Sequence, residues 1–387
     1  FMIPLKKVWV PWAVVCLVSF GISATIVTSP FLKEKQKSLL WGAYPITLDT
    51  VLCSVDCAYE RDLVRSGYTA ETPLSFFAKY PLMNMIGRII QQIWDGRAEL
   101  ILLILSRIGM LFGLAELYRL IQAHYDEEQA IRTVWWTICT PTLAIYTWVV
   151  TYPEGWQLGF TCLTFYLYFK GAYWKASLPA VLLVVSRPQG ILILPALGVG
   201  ILLDRTSNWP ERLKRLVALS LVPMLAWCVW QGYASAVSGE FMAPLASQEV
   251  HGRHFWHAPM LPLVRFVKRR FLIGFQTRGI AVEAAQLVIV FFQVLLLIGA
   301  WRRGKIRTEL VLFTCLAVFV PMHTGLISTA RYSLVTALPW MPIIWPRPQP
   351  FEKYEKGLLM VFGLLGTIFT LIVISYLNQE FKLGWIA

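Results

Sequence analysis

A reaction at a membrane needs one group that moves a proton and others that hold charge. This chain offers few of either. Asp56 opens a polar stretch, 56–83, that reads DCAYERDLVRSGYTAETPLSFFAKYPLM. A carboxylate in such a place can take the proton of an attacking hydroxyl as a general base. Asp49, Glu60, Asp62 and Glu71 lie near it, and on spacing alone these acids serve equally well as a solvated loop face. Arg187 and Arg331 each interrupt an otherwise apolar stretch. Arginine presents a planar fork of donors suited to phosphate, and an ionisable residue inside a span points to function by default. The competing role is a buried partner for an acid such as Glu154.

Other constellations carry less. His251, His254 and His257 fall within seven residues, and neutral imidazoles can bind zinc. Their i, i+3, i+6 spacing matches no structural zinc pattern, so a basic interfacial loop is the expected reading. Arg265, Lys268, Arg269 and Arg270 suit lipid headgroups or a lipid-linked phosphate, or simply a solvated positive face. No Walker loop, Rossmann glycine pattern or Ser-His-Asp spacing is visible. If such a chain transfers a sugar, the expected donor is lipid-linked rather than a nucleotide sugar. No metal or cofactor is called for, although a divalent cation is compatible with the acids.

The elements that must position these residues are membrane helices. Of 387 residues, 57% are hydrophobic and 15% charged, and the mean hydropathy is +0.59. Soluble domains carry about 25% charged residues. Seventeen Trp and fifteen Tyr fit aromatic belts at two interfaces. The net charge of +13 gathers in short loops, where membrane topology and anionic headgroups account for it better than nucleic acid does. Cys53 and Cys57 flank Asp56; pairing cannot be read from spacing, and the unpaired state is the expected one. The other five cysteines lie in apolar runs and read as small buried residues.

Apolar runs are placed at 8–29 (uncleaved rather than a signal peptide), 99–121, 133–151, 155–170, 216–236, 281–301, 310–326, 334–345 and 357–377. Between them, 176–203 holds Ser186-Arg187-Pro188-Gln189-Gly190. A single helix would bury Arg187 at mid-bilayer at a cost of about 3 kcal/mol or more, so two short helices meeting at a turn are expected. The expectation is an all-α polytopic membrane protein with about eleven spans, between ten and twelve. Lysines before the first span keep the N-terminus inside. The whole of 1–387 reads as one transmembrane domain with two long exoplasmic loops, 30–98 and 237–280. The 76–93 part of the first has the character of an interfacial helix. Asp56, Glu154, Arg187, Gln248 and Arg331 then share the exoplasmic face.

These residues resemble a known family. Asp56, then ten residues, Gly67-Tyr68, and Phe76-Phe77-x-x-Tyr80-Pro81-Leu82 are similar to the first exoplasmic loop of the glycosylphosphatidylinositol mannosyltransferase 2 family and its bacterial relatives, within the GT-C superfamily. The likeness continues in order through Pro141 with Tyr152-x-Glu154, Arg187-Pro188-Gln189-Gly190, Ser238-Gly239…Gln248…Trp256 and Ala330-Arg331-Tyr332…Pro339. The resemblance implies a GT-C-type bundle and an inverting transferase. That enzyme would move a sugar, typically mannose, from a polyprenyl-phosphate donor to a lipid, glycan or protein acceptor. It implies Asp56 as base and a plasma (inner) membrane location. Arg187 and Arg331 are the candidates for the donor phosphate. Glu154, Gln248, Tyr80, Tyr332 and Lys79 are candidate substrate contacts. The chain departs from the pattern at Val55, where the family carries Trp, and at Ala78-Lys79. Those changes favour a second reading, an inactive subunit that scaffolds a membrane complex with a partner. A third is a transporter or flippase of lipid-linked sugars, for which Arg187-Pro188 is a helix break without a mirrored second half.

Overall fold

A computed structural model describes residues 5–28, 56–139, 151–250, 291, 294–324 and 349–372. All regular structure among them is helical. Among the described residues three helices are long and apolar enough to cross a membrane: Lys6–Thr25, Ala98–His124 and Trp209–Ser238. The spans expected at 281–301 and 334–345 lie partly or wholly outside the described residues. Packing divides the chain into two compact units. The first comprises Phe1–Tyr68, Lys79–Leu163 and Pro346–Ala387, and the second Thr69–Ala78 and Thr164–Trp345.

In the first unit, α1 (Leu5–Thr28) lies against α4 (Ala98–His124) and α5 (Glu127–Cys139). Trp12 Nε1 donates to the Arg107 carbonyl at 2.8 Å. Lys7 meets Glu127 at 2.6 Å in an exposed pair that solvent screens. The expected polar turn at 124–132 is shorter than anticipated. Asp126 Oδ1 accepts from the Gln129 amide at 2.6 Å and so caps a new helix at Glu127.

The expected loop 30–98 is, from residue 56 on, mostly helical. Asp56 is the first residue of α2 (Asp56–Ser66). A 3-10 turn, Leu74–Ala78, follows, and then the amphipathic α3 (Pro81–Ile93). The expected interfacial helix thus begins five residues later than read, at Pro81. Proline fits the first turn of a helix and holds Tyr80 before it in extended geometry (φ −75, ψ 152). Cys57 and Val64 of α2 and Met83 of α3 pack on Ala98, Ile101, Leu102 and Leu105 of α4.

The helix α6 (Glu154–Phe169) crosses α4 through two small-residue pairs, Gly109/Gly113 and Gly155/Gly159, each spaced by four. A Cβ on Gly113 would strike the Gly155 carbonyl oxygen, and one on Gly155 would strike the Met110 amide nitrogen. Both obstacles are backbone, so no rotamer relieves them, and only glycine permits this approach. Gly155→Ala is expected to cost about 1–3 kcal/mol by overpacking, read as a lower thermal midpoint in detergent. Gly232→Ala, where nothing lies within 4 Å, is expected to be neutral or stabilising by helix propensity.

In the second unit, α7 (Tyr173–Val184) and α8 (Ile193–Leu203) are the two short helices expected around Arg187, joined by a 3-10 turn, Pro188–Leu192. The long α9 (Trp209–Ser238) begins seven residues before the span read at 216. Asn208 accepts from the Glu211 amide at 3.0 Å, Pro210 occupies the first turn, and Glu211 pairs with Arg215 at 3.1 Å. These local signals carry the helix through a basic stretch expected as loop. Gly239, at φ +73, ends it in the left-handed conformation. α10 (Ala243–Val250) occupies the start of the second expected loop, and 251–280 lies outside the described residues. α11 (Thr308–Thr324) packs on α8. In the first unit, α12 (Gln349–Ile372) packs on α5.

Asp204, in the turn between α8 and α9, accepts from Thr206 through its amide (3.0 Å) and hydroxyl (2.6 Å), from Ser207 (2.8 Å) and from Arg215 (3.0 Å). The Thr206 and Ser207 hydroxyls hold its carboxyl down to about 2. A depressed folded-state value contributes stability that is present above the unfolded value of about 3.9 and is lost as pH falls toward 2. The thermal midpoints of wild type and Asp204→Asn should differ by a constant amount above about pH 5 and converge near pH 2.

Candidate functional site

The residues that the sequence singles out fall into three settings. The first surrounds α2. Tyr59, at register position i+3 from Asp56, lies under the Lys79 ammonium, 5.3 Å from the ring centroid. Lys79 is buried, at 7% exposure, which strengthens such a cation–π contact. Tyr68 donates to the Lys79 carbonyl at 2.6 Å. Asn84 donates to the Tyr68 hydroxyl at 3.0 Å and to the Tyr80 carbonyl at 3.3 Å. Gly67, at φ +76, lies beneath the Arg88 guanidinium, 2.9 Å from where a Cβ would stand, and Arg88 donates to the Arg65 carbonyl at 3.1 Å. Gly67-Tyr68 is therefore a clasp that locks α2 to the segment bearing Lys79 and Tyr80.

That clasp rests on an ionic group absent from the sequence reading. Glu99, 2% exposed at the start of α4, receives Arg65 at 3.0 Å and lies 3.9 Å from Arg61. Arg61 also donates to Asp62 at 2.9 Å, and Glu60 is buried on the same helix. The readable signal was the i, i+3/i+4 alternation of Cys57, Glu60, Arg61 and Val64, which defines one helix face. Cys57 is disulfide-bonded, contrary to the unpaired state expected, and such bonds belong to an oxidising compartment. Cys53 and the Asp56 side chain lie outside the described residues.

The second setting is the start of α6. Glu154 is 1% exposed. The preceding Tyr152 is pinned to α4, where Ser106 Oγ donates to its carbonyl at 3.0 Å and receives its amide at 3.3 Å. Trp156 Nε1 donates to the Leu105 carbonyl at 2.9 Å. The Tyr152-x-Glu154 segment is thereby fixed to the same helix that carries Glu99.

The third setting lies in the second unit. Arg187 is 7% exposed, in a turn packed by α7, α8, α9 and α11. The turn folds back on α7: Gly190 donates its amide to the Arg187 carbonyl at 3.0 Å, and a Cβ on Gly190 would strike the Leu183 carbonyl oxygen. Gln189 is equally buried, and its Oε1 accepts no hydrogen bond among the described residues. Gln248 is buried on α10, which packs on the 3-10 turn that carries the fully buried Phe77. Arg331, Tyr332 and the histidine and basic run of 251–270 lie outside the described residues.

The structure thus joins Lys79 and Tyr80 to the helix that Asp56 opens, and the helix bearing Gln248 to the turn bearing Phe76-Phe77. Among the described residues no group of three or more His, Cys, Asp or Glu is arranged to hold a metal ion.

Neither a protein-family model nor a curated protein sequence matches the chain. Solved structures do. ArnT from Cupriavidus metallidurans, bound to undecaprenyl phosphate, aligns with a TM-score of 0.54 at 14% identity. The alignment covers 92% of this chain and 63% of that one. The Archaeoglobus fulgidus oligosaccharyltransferase, tethered with an acceptor peptide containing the NVT sequon, gives 0.52 at 12% identity. Here coverage is 96% of this chain and 55% of that one. The chain spans little more than half the length of these proteins. The chain thus shares its fold with both, and three of its described helices have the length and apolar composition to cross a membrane.

Proposed function

We propose that the chain is a membrane glycosyltransferase that moves a sugar, mannose by the resemblance of its motifs, from a polyprenyl-phosphate donor to an acceptor hydroxyl on the exoplasmic face, with inversion. The observation that carries this reading is the GT-C fold, shared with ArnT bound to undecaprenyl phosphate. Asp56 takes the proton as the acceptor oxygen attacks the anomeric carbon. Arg187 and Arg331 hold the donor phosphate and stabilise the charge that develops as it leaves. Lys79, Tyr80, Glu154, Gln248 and Tyr332 line the substrates. A turn that buries both the Arg187 guanidinium and the Gln189 amide suits a ligand with both an anion and hydroxyl donors, as a sugar phosphate has. The disulfide at Cys57 supports the exoplasmic placement of α2.

The test is donor binding. Native mass spectrometry of the purified chain with a polyprenyl-phosphate hexose should show a one-to-one complex in wild type. Arg187→Gln should weaken it by about tenfold, as loss of one charge-assisted contact implies. Undiminished binding in the variant removes Arg187 from the site, and no wild-type complex removes the donor class.

A further inference from the structure

At the end of α7 opposite Arg187, a cleft of about 240 Å³ opens between that helix and α9. Its cationic lining is Lys175, Lys214 and Arg215, and its only carboxylate is Glu211. Arg215 is already committed to Glu211 at 3.1 Å, to Asp204 at 3.0 Å and to the Tyr173 ring at 5.5 Å. Lys175 and Lys214 are exposed, and no described carboxylate pairs with either. The cleft therefore offers two uncommitted ammonium groups to an incoming anion. Its position is interfacial. Trp174, in the lining, is 56% exposed, and Trp209, which opens α9, is 63% exposed. Tryptophans at such levels mark headgroup depth. α9 is long and apolar enough to cross the membrane from there.

We infer that this cleft binds the phosphate of an anionic phospholipid headgroup, with Lys175 and Lys214 as its ligands and Trp174 beside the glycerol backbone. The site is separate from the donor site proposed at Arg187, because the twelve residues of α7 stand between them. Its role is to fix the basic ends of α7 and α9 to the charged leaflet.

The experiment uses the full chain in a zwitterionic detergent and reads its thermal midpoint against added short-chain phosphatidylglycerol. Wild type should gain stability with dose. Lys175→Gln/Lys214→Gln should need roughly 30-fold more lipid for the same gain, since each lysine near a surface contributes about a factor of five. Lys356→Gln, on α12, should leave the dose unchanged. Short-chain phosphatidylcholine and inorganic phosphate should give no gain at the doses where phosphatidylglycerol saturates. An equal dose in the double variant, no gain in wild type, or an equal gain with phosphatidylcholine overturns the proposal. An equal gain with inorganic phosphate overturns it in favour of a free-phosphate site. Both lysines are exposed and no described carboxylate pairs with either, so the double variant should fold. If its lipid-free midpoint falls, the single Lys214→Gln variant, expected near fivefold, decides.

Discussion

Asp56→Asn should lower sugar transfer by about 10²- to 10⁴-fold, the range that a positioned general base contributes, with little change in the thermal midpoint. Asparagine keeps the size of the side chain and removes its capacity to accept the proton. The helix that Asp56 opens is firmly anchored. Asp56 opens α2, a place that suits an anion because helix N-termini carry partial positive charge. The next residue, Cys57, is fully buried and disulfide-bonded. Val64 packs into α4, and Arg65 pairs with buried Glu99 at 3.0 Å. In the proposed mechanism such anchorage of the helix would keep the distance from base to acceptor, which is where much of the rate of a positioned reaction resides. Asp62→Asn is the matched control. Asp62 is half-exposed and pairs with Arg61, so its loss should cost at most about 1 kcal/mol of stability and little activity. Equal losses in the two variants would show that transfer needs acidity in α2 rather than Asp56 itself.

The largest expected stability effect lies at Arg132 and Glu355. These residues are 7% and 4% exposed and 223 positions apart in sequence. Arg132 Nε donates to Glu355 Oε1, and Trp136 Nε1 donates to the same oxygen at 2.6 Å. Trp136 also packs edge-on to Phe362 of α12, at 6.1 Å. The pair therefore fastens α12 to α5 within the first unit. Removing one partner leaves a buried charge without compensation, and Glu355→Leu or Arg132→Met should each cost about 3–5 kcal/mol. The double variant should recover most of that loss, since two well-packed apolar side chains replace a buried ion pair at little net cost. Thermal or denaturant unfolding of the four proteins gives the coupling energy directly. Additive losses would show that the two residues act independently.

The helices that composition and Pro-Gly punctuation define were legible: 5–28, 98–124, 154–169 and the pair around Arg187. There the apolar run and the cost of a buried guanidinium leave one arrangement. The interfacial helix within 76–93 was legible, but 56–66 was not legible as helix. α2 is hydrophilic apart from its inward face, and its stability comes from tertiary pairs with α4, which no local pattern contains. Glu99 read as the edge of a span and proved to be the acid on which Arg65 closes. The start of α9 was missed because its basic first turns look like loop, although Asn208 and Pro210 carried the capping signal. The role of Gly67-Tyr68 changed as well: a segment named for its resemblance proved to be a clasp that positions Lys79 and Tyr80. The disulfide at Cys57 lay beyond the reach of spacing, because pairing depends on the fold.

Transfer itself is the most direct test. The chain, reconstituted in liposomes with a polyprenyl-phosphate mannose labelled in the sugar and with extracted membrane lipids and glycans as acceptors, should release polyprenyl phosphate. The release should match, mole for mole, the label that appears in product, and the anomeric configuration should be inverted. A donor that stays intact in wild type, or crosses the bilayer unchanged, would contradict the account.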